Sequence, residues 1–335
     1  MFEKEKIFMK KALAIFLALV TVLCAVACGK TADKDSGAEA AGINLHILYE
    51  ADNDMINTYT IMAINPEAPW VDADGNSVDA STVKINTAGA EALINWILSE
   101  EGEKAAAEYG YADYGEYLFY LKEDRPVSKE EIPAATEETK TIRLSTTTSV
   151  KDSGLLGYLL PIFEGKYGYS VEVASAGTGK AIAAAKAGNA DVILVHAKAQ
   201  EEKFVEEGFS YVVNGLSSER NSFMYNYFVL CGPAEDPAKV KEAASVKDAF
   251  KAIADGGFPF VSRGDNSGTH TKEISLWPEA LGITTDSASI ANYKWYTYSN
   301  AGMGACLKMA LETGAYILSD KATFLTFYKN GGLTE

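Results

Sequence analysis

Apolar positions along this chain change their period several times, and each change marks an element. From Thr141, "TIRLS" is a short β-prone run, "SGLLGYLLPIFEGKYG" spaces its apolar residues as a helix does, and "YSVEVAS" is strand-like. "GKAIAAAKAG" is helical and closes on Gly188, and "ADVILVHA" has the continuous apolar character of a buried strand. A βαβαβ series of this kind predicts a parallel sheet. Pro161 falls inside the first helix and is expected to kink it or end its regular part. The β-prone stretch "NSFMYNYFVLCGP" has the form of a strand that crosses between two lobes, and a second α/β section follows it. In that section "VKDAFKAIADGG" and "GACLKMALETGAYIL" read as the clearest helices. Upstream, Ala90, Leu93, Ile94, Ile97 and Leu98 recur at helical spacing, which predicts one helix over 87–108. Residues 122–140, charged and carrying two prolines, read as an exposed connector.

The first 28 residues depart from this alternation. Lysines come first, then the apolar run from Ala12 to Val22, then small residues before a cysteine, which is the layout of an export signal. The run is short of the roughly 20 apolar residues a membrane span takes. "AVAC" resembles a bacterial lipobox with Cys28 as the lipidated residue, although Ala25 stands where that motif more often has leucine; an ordinary cleaved signal peptide is the alternative. Met9 is an alternative start. The segment after Cys28 is small, polar and free of aromatics, so residues 28–42 are expected to act as a flexible tether.

Length and composition then bound the rest. A chain of 335 residues, 47% of them hydrophobic, can bury a core and accommodate two lobes. Its formal charge is −16, and residues 1–27 hold four lysines and two glutamates, so the remainder is two charges more negative. With no lysine- or arginine-rich run, nucleic acid is not expected as a partner. Net charge does not exclude a small anion, because a closed cleft is governed by its own few donors. Cys231 and Cys306 are the cysteines of the body, read as buried free thiols although export permits a disulfide.

Three segments gather hydrogen-bond donors. "STTTSVKDSG" at 145–154 and "SAGTGK" at 175–180 each follow a strand and open a helix, where backbone N–H groups lack partners and glycine permits close approach. "SRGDNSGTH" at 262–270 adds Arg263, one of four arginines in the chain, whose guanidinium can form two parallel bonds to an oxyanion. Any single Ser/Thr cluster before a helix can be a plain N-cap. Three of them in one chain point to an anion cradle.

Reaction chemistry finds less support. "SAGTGK" fails as a nucleotide phosphate loop because Ala174 and Ala181 stand where that pattern needs glycine and Ser/Thr. Neither G-x-S-x-G nor H-E-x-x-H occurs, and three histidines without ligand spacing do not make a zinc centre. His196 and His270 read as structural groups near the site. An exported enzyme acting on an anionic substrate would need one of them as its base.

"TTTSVKDSGLL", "AGTGKAI", "ADVILVHAK", "CGPAEDPA" and "SRGDNSGTHTKE" together resemble the substrate-binding proteins of tungstate ABC transporters, over most of residues 141–328. The resemblance implies an α/β, two-lobed, type II periplasmic-binding-protein fold that traps tungstate, often molybdate as well, between its lobes. Residues 45–109 look like the part that normally ends this family's chain, so the chain is expected to be circularly permuted, with 122–140 joining the usual C- and N-termini. A fusion with a truncated copy is the alternative. Lobe one then takes 65–220, lobe two takes 43–54 plus 232–335, and 55–64 and 221–231 are the hinge strands. Ile43 and Glu335 are expected to lie near one another.

A tetrahedral dianion leaving water must recover its solvation from well-aimed donors. The residues expected to supply them are Thr147, Thr148, Ser149 and Thr178 from lobe one and Arg263, Ser267 and Thr269 from lobe two. No cofactor is expected, and the metal enters only within the oxyanion. Hydrogen phosphate or sulfate is the alternative ligand. Phosphate keeps a proton and wants a carboxylate acceptor, so Asp265 pointing into the cleft would favour it and Asp265 turned away would favour tungstate. The implied partners are an ABC permease with its ATPase, and the membrane through a lipid on Cys28, with the protein on the outer face of the cell membrane.

Overall fold

Alternating strand and helix segments close into one mixed sheet with helices on its faces. The computed structural model describes residues 44–331, which belong to a single unit, Ile43–Glu335. The expected signal segment, Cys28, the tether, Ile43 and Glu335 lie outside the described residues. Strands β1 (His46–Tyr49) and β2 (Ile56–Ile64) lead into helices α1 (Thr87–Ile97), α2 (Glu100–Glu108) and α3 (Tyr111–Tyr114) and the short β3 (Tyr120–Leu121). The expected series follows: β4 (Thr141–Thr147), α4 (Thr148–Asp152), α5 (Leu155–Tyr167), β5 (Ser170–Ala176), α6 (Thr178–Lys186), β6 (Val192–Val195), α7 (Lys198–Glu206) and β7 (Ser210–Tyr211). The long β8 (Asn221–Gly232) leads to α8 (Val246–Gly256), β9 (Phe260–Ser262), α9 (Gly268–Leu276), β10 (Tyr296–Tyr298), α10 (Met303–Thr313), β11 (Tyr316–Asp320) and α11 (Lys321–Lys329).

The strand order is β10-β9-β11-β8-β2-β6-β4-β5. β4 pairs in parallel with both β5 and β6, as a βαβαβ series requires. Strand β8 serves both ends of the sheet. Its first part, from Asn221 to Tyr227, pairs with β2, and its last residues pair with β11 and β1. Each half has its own cores on the two sheet faces, and the period-2 alternation of the strands sorts the side chains between them. Val192 and Leu194 of β6 join Leu93, Trp96, Leu159 and Phe163 on one face, whereas Ile193 and Val195 join Ile182 and Phe204 on the other. Phe228 and Leu230 of β8 pack with Phe250 and Trp277, and Val229 and Cys231 pack with Cys306, Leu307 and Phe324. Burial of a side chain such as Leu159 or Phe163 contributes about 1.5–3 kcal/mol.

Several elements differ from the sequence expectation. The helix expected over 87–108 is broken: Leu98 leaves the helix and Ser99 is extended, its hydroxyl accepting from Gly102 N. Ser-Glu-Glu is a strong helix start, with a capping hydroxyl and acidic side chains at the positive end of the dipole, and it overrides the apolar period. Pro161 does not end α5, which runs through it to Tyr167. "GACLKMALETGAYIL" is helical only to Thr313, because Gly314 takes the left-handed conformation that terminates a helix, and Tyr316 begins β11. The 122–140 segment is mostly exposed, but Ser128 is buried against α1, bonding Asn95 Oδ1 at 2.7 Å and donating its N–H to Leu98 O. Helix α11 spans both halves: Ala322 lies in a core with Leu155 and Leu159, and Phe324 in one with Leu45 and Val229. Cys231 and Cys306 are buried free thiols. Among the described residues no helix is long and apolar enough to cross a membrane.

Candidate functional site

The strand-to-helix turns after β4, β5 and β9 meet where the two halves of the sheet face one another. Thr147 ends β4 and caps α4, its hydroxyl accepting from Val150 N at 3.3 Å. Gly177 precedes α6 and offers no side-chain cap, so the first-turn N–H groups of that helix have no intrahelical acceptor. From the other half, the turn after β9 folds back on itself. Gly264 is left-handed at φ 61°, and a Cβ there would sit 2.6 Å from the Tyr298 ring. Asn266 follows at φ 55°, a conformation asparagine tolerates, and Ser267 caps α9 by accepting from His270 N.

These turns touch. Arg263 Nη2 donates to Thr148 Oγ1 at 3.1 Å. A Cβ on Gly177 would lie 3.4 Å from the Asp265 carbonyl, and one on Gly268 would lie 2.5 Å from Cε1 of His196. His196 in turn contacts Thr147 Oγ1 through Nε2 at 3.1 Å. Helix α11 supports the cluster from behind, with Thr323 Oγ1 donating to Ser149 O at 3.4 Å.

The polar atoms left over are informative. Ser149 Oγ, Thr178 Oγ1, Thr269 Oγ1, Arg263 Nε and Nη1, and His270 Nε2 are all buried without a hydrogen-bond partner in the chain; among the described residues Asn221 Oδ1 is the other such atom. Native proteins leave few buried polar groups unpaired, because each such group costs about 1–3 kcal/mol. Six of these atoms lie on one cluster of touching turns and are left available to a group the protein itself does not supply.

Of the seven residues expected from sequence, Ser149, Thr178, Arg263 and Thr269 carry unpartnered atoms, and all seven are in the cluster or its caps. Thr147 differs from the expectation. Its hydroxyl accepts from Val150 N, and its proton is taken by His196, so it holds the turn and has no proton to give an anion. Thr148 and Ser267 accept from Arg263 and His270 N and keep their hydroxyl protons free to donate. Asp265 sits at the seam: Oδ2 is 2.5 Å from Arg263 Nη2 and about 4.0 Å from where a Cβ on Gly177 would stand, and Oδ1 accepts from Ser267 N at 3.1 Å.

Both histidines are fixed by their partners. His196 Nδ1 lies 2.8 Å from Asn57 Oδ1, so that nitrogen carries the proton and Nε2 accepts from Thr147. Burial, with Arg263 nearby, lowers its pKa to about 3. Asn57 belongs to a buried network with Tyr59, Asn226 and Asp320, where three side chains donate to one carboxylate whose pKa is raised by burial. His270 Nδ1 accepts from Asn266 N at 3.1 Å, which places the ring proton on Nε2, a donor among the unpartnered set. Its pKa is also lowered, chiefly by burial. Sequence reasoning took His270 as structural. Its place in the first turn of α9, beside Thr269, was the available signal.

The family model for the PBP superfamily domain matches residues 133–334. The tungstate-binding protein TupA of Peptoclostridium acidaminophilum is 46% identical over 200 residues, 59% of this chain and 65% of that protein. An ABC transporter anion-binding protein of Haloferax volcanii is 46% identical over 192 residues, 57% of this chain and 52% of that protein. The matches thus span less than two thirds of these relatives' own lengths. Among solved structures, the tungstate ABC transporter protein from Geobacter sulfurreducens is 43% identical, over 56% of this chain and 75% of that one, with a TM-score of 0.48.

Proposed function

We infer that this chain, which belongs to the PBP superfamily and has its type II fold, captures a fully deprotonated tetrahedral oxyanion, tungstate with molybdate as a second ligand, for an ABC importer. The observation that carries this reading is the set of buried unpartnered donors on Ser149, Thr178, Arg263, Thr269 and His270. Thr148 and Ser267 add two hydroxyl protons. Thr147 orients the first turn rather than binding.

The mechanism is exchange of hydration for preorganised donors. A dianion loses strong bonds to water on entering a buried site, and it stays bound only where donors already point at its oxygens. Here the guanidinium is paired with the Asp265 carboxylate, so much of the compensation comes from uncharged O–H and N–H groups. Arg263 reaches from one half to Thr148 in the other, so a ligand held by both sides favours the closed arrangement through its differential affinity.

Phosphate would need an acceptor for its proton. Asp265, paired with Arg263 at the seam, keeps lone pairs that could take that proton, whereas the buried Glu273 is held by Ser262, Tyr296 and Trp277. The choice of tungstate over phosphate rests instead on the likeness to a tungstate-binding relative. Titration calorimetry against tungstate, molybdate, sulfate and phosphate tests the reading: tungstate and molybdate are expected to bind tightest. Stronger phosphate binding would overturn the choice of ligand, and no binding of any of them would overturn the site.

The named relatives are binding proteins and not enzymes, and the same role is proposed for this chain. It would work outside the cell membrane, held by a lipid on Cys28, and pass its ligand to a permease and ATPase. Circular permutation accounts for the family match beginning at residue 133 while β1 and β2 complete the same sheet, and Leu45 shares a core with Phe324. On this view 65–220 and 43–54 plus 232–335 are the lobes, with 55–64 and 221–231 as hinges.

A further inference from the structure

Beside the donor cluster lies a second concavity, a pocket of about 470 Å³ whose wall includes Lys122, Lys198, Arg220 and Lys272 and no aspartate or glutamate. This is unusual in a chain with 46 acidic and 30 basic residues. The wall also includes His196 and Gly268, which belong to the donor cluster, so the pocket adjoins it on the seam between β2, β8, α7 and α9.

Three of the cations have carboxylate partners that are not part of the wall. Arg220 lies 2.6 Å from the buried Glu201, Lys122 lies 2.7 Å from Asp124, and Lys198 lies 3.6 Å from Glu202. Lys272 has no carboxylate within ion-pair distance among the described residues. Its ammonium donates to the Asp54 carbonyl at 3.0 Å, while the Asp54 carboxylate is taken by Lys247. Burial lowers the pKa of Lys272, with Asp54 raising it and Lys247 lowering it. A partly buried ammonium outside ion-pair distance of any carboxylate among the described residues, beside three further cations, is complementary to an anion.

We propose that this pocket is a second anion site, which holds a hydrated divalent oxyanion before it enters the enclosed donor cluster. A water occupies about 30 Å³ in the liquid, so the pocket has room for an ion with much of its hydration shell. Hydroxyls of Thr58, Ser222 and Thr271 line it and can bond that shell. The enclosed cluster instead requires dehydration. The proposal rests on the oxyanion reading above. It answers a physical difficulty of that reading: a chain with net charge −16 repels a dianion, and cations gathered in a concavity next to the cluster offset that repulsion locally.

The test is the rate of association with tungstate, followed by stopped-flow protein fluorescence at several ionic strengths. Lys198→Gln with Lys272→Gln is expected to lower the association rate constant by about three- to tenfold and to flatten its salt dependence, with dissociation nearly unchanged. Neither lysine is among the enclosed donors. Should the double variant fold poorly, Lys198→Gln alone, at an exposed side chain, is expected to give a smaller slowing of the same kind. Unchanged association, or a change confined to dissociation, would overturn the pocket's role while leaving the enclosed site intact. If calorimetry finds no tungstate binding by the unmodified protein, both readings fall together.

Discussion

Arg263 Nη2 and Thr148 Oγ1, separated by 115 positions in the chain, lie 3.1 Å apart across the seam of the sheet. The same guanidinium leaves Nε and Nη1 buried and unpartnered, so one side chain both bridges the halves and presents donors to the space beside them. Arg263→Ala is expected to weaken tungstate binding at least tenfold, a loss of about 1.4 kcal/mol or more. Arg263→Lys is expected to recover little of it, because an ammonium cannot reproduce the planar fork. Calorimetry at fixed ionic strength checks both, and an unchanged affinity in the alanine variant would count against the assignment.

The hydroxyls divide into two groups with opposite expected effects. Ser149, Thr178 and Thr269 carry buried hydroxyls with no partner, so Ser149→Ala, Thr178→Val and Thr269→Val remove a desolvated polar group from the unliganded protein. Each is expected to leave the unliganded thermal midpoint unchanged or raised while weakening the anion by about 1.5–3 kcal/mol, the range for hydrogen bonds to charged groups. Thr147→Val removes a helix cap and should instead cost about 0.5–2 kcal/mol of stability. Melting curves with and without tungstate separate the two groups.

Gly268 tests closure directly. A Cβ there would meet the His196 ring at 2.5 Å, and that ring is held on both sides by Asn57 and Thr147. Gly268 is in the first turn of α9 with ordinary helical geometry, so alanine is compatible with the helix itself. The clash is between parts that come from different halves of the sheet. Gly268→Ala is therefore expected to lower affinity at least tenfold, about 1.4 kcal/mol. Small-angle scattering should show that saturating tungstate compacts this variant less than the unmodified protein.

The parts of this arrangement legible in the sequence are those set by local chemistry. Serine, threonine and glycine between a strand run and a helix run mark a turn with free N–H groups, and the three turns so marked do meet. What sequence could not supply was orientation. Thr147, Thr148 and Ser149 are neighbours of the same donor type, yet one hydroxyl is consumed by His196, one accepts from Arg263 and one is unpartnered. His270 becomes a donor only because Asn266 N occupies its other nitrogen. The helix break at Ser99 shows the converse, a capping signal present in the text that a stronger apolar period concealed.

Proton uptake gives the last prediction. Burial and Arg263 hold the His196 pKa at about 3, whereas an unfolded histidine titrates near about 6.5. As pH falls through that upper value the unfolded chain takes up a proton that the folded chain does not, so His196 contributes stability above it that is lost progressively toward the lower one. Glu273 acts in the opposite sense. Burial raises its pKa from 4.5 to about 7, so its contribution is present at low pH and is lost as pH rises through that window. The two slopes offset one another over roughly pH 4.5–6.5. Glu273→Gln removes the second, and its unliganded stability should therefore fall more steeply on acidification than that of the unmodified protein, by up to about 1.4 kcal/mol per pH unit. Denaturant midpoints across that range check the slope, and an identical pH profile in the two proteins would show that Glu273 does not titrate as its burial requires. In Glu273→Gln, tungstate affinity should stay flat from about pH 7 to 8, because burial keeps His196 and His270 neutral there, whereas a site that relied on a histidinium would tighten as pH falls.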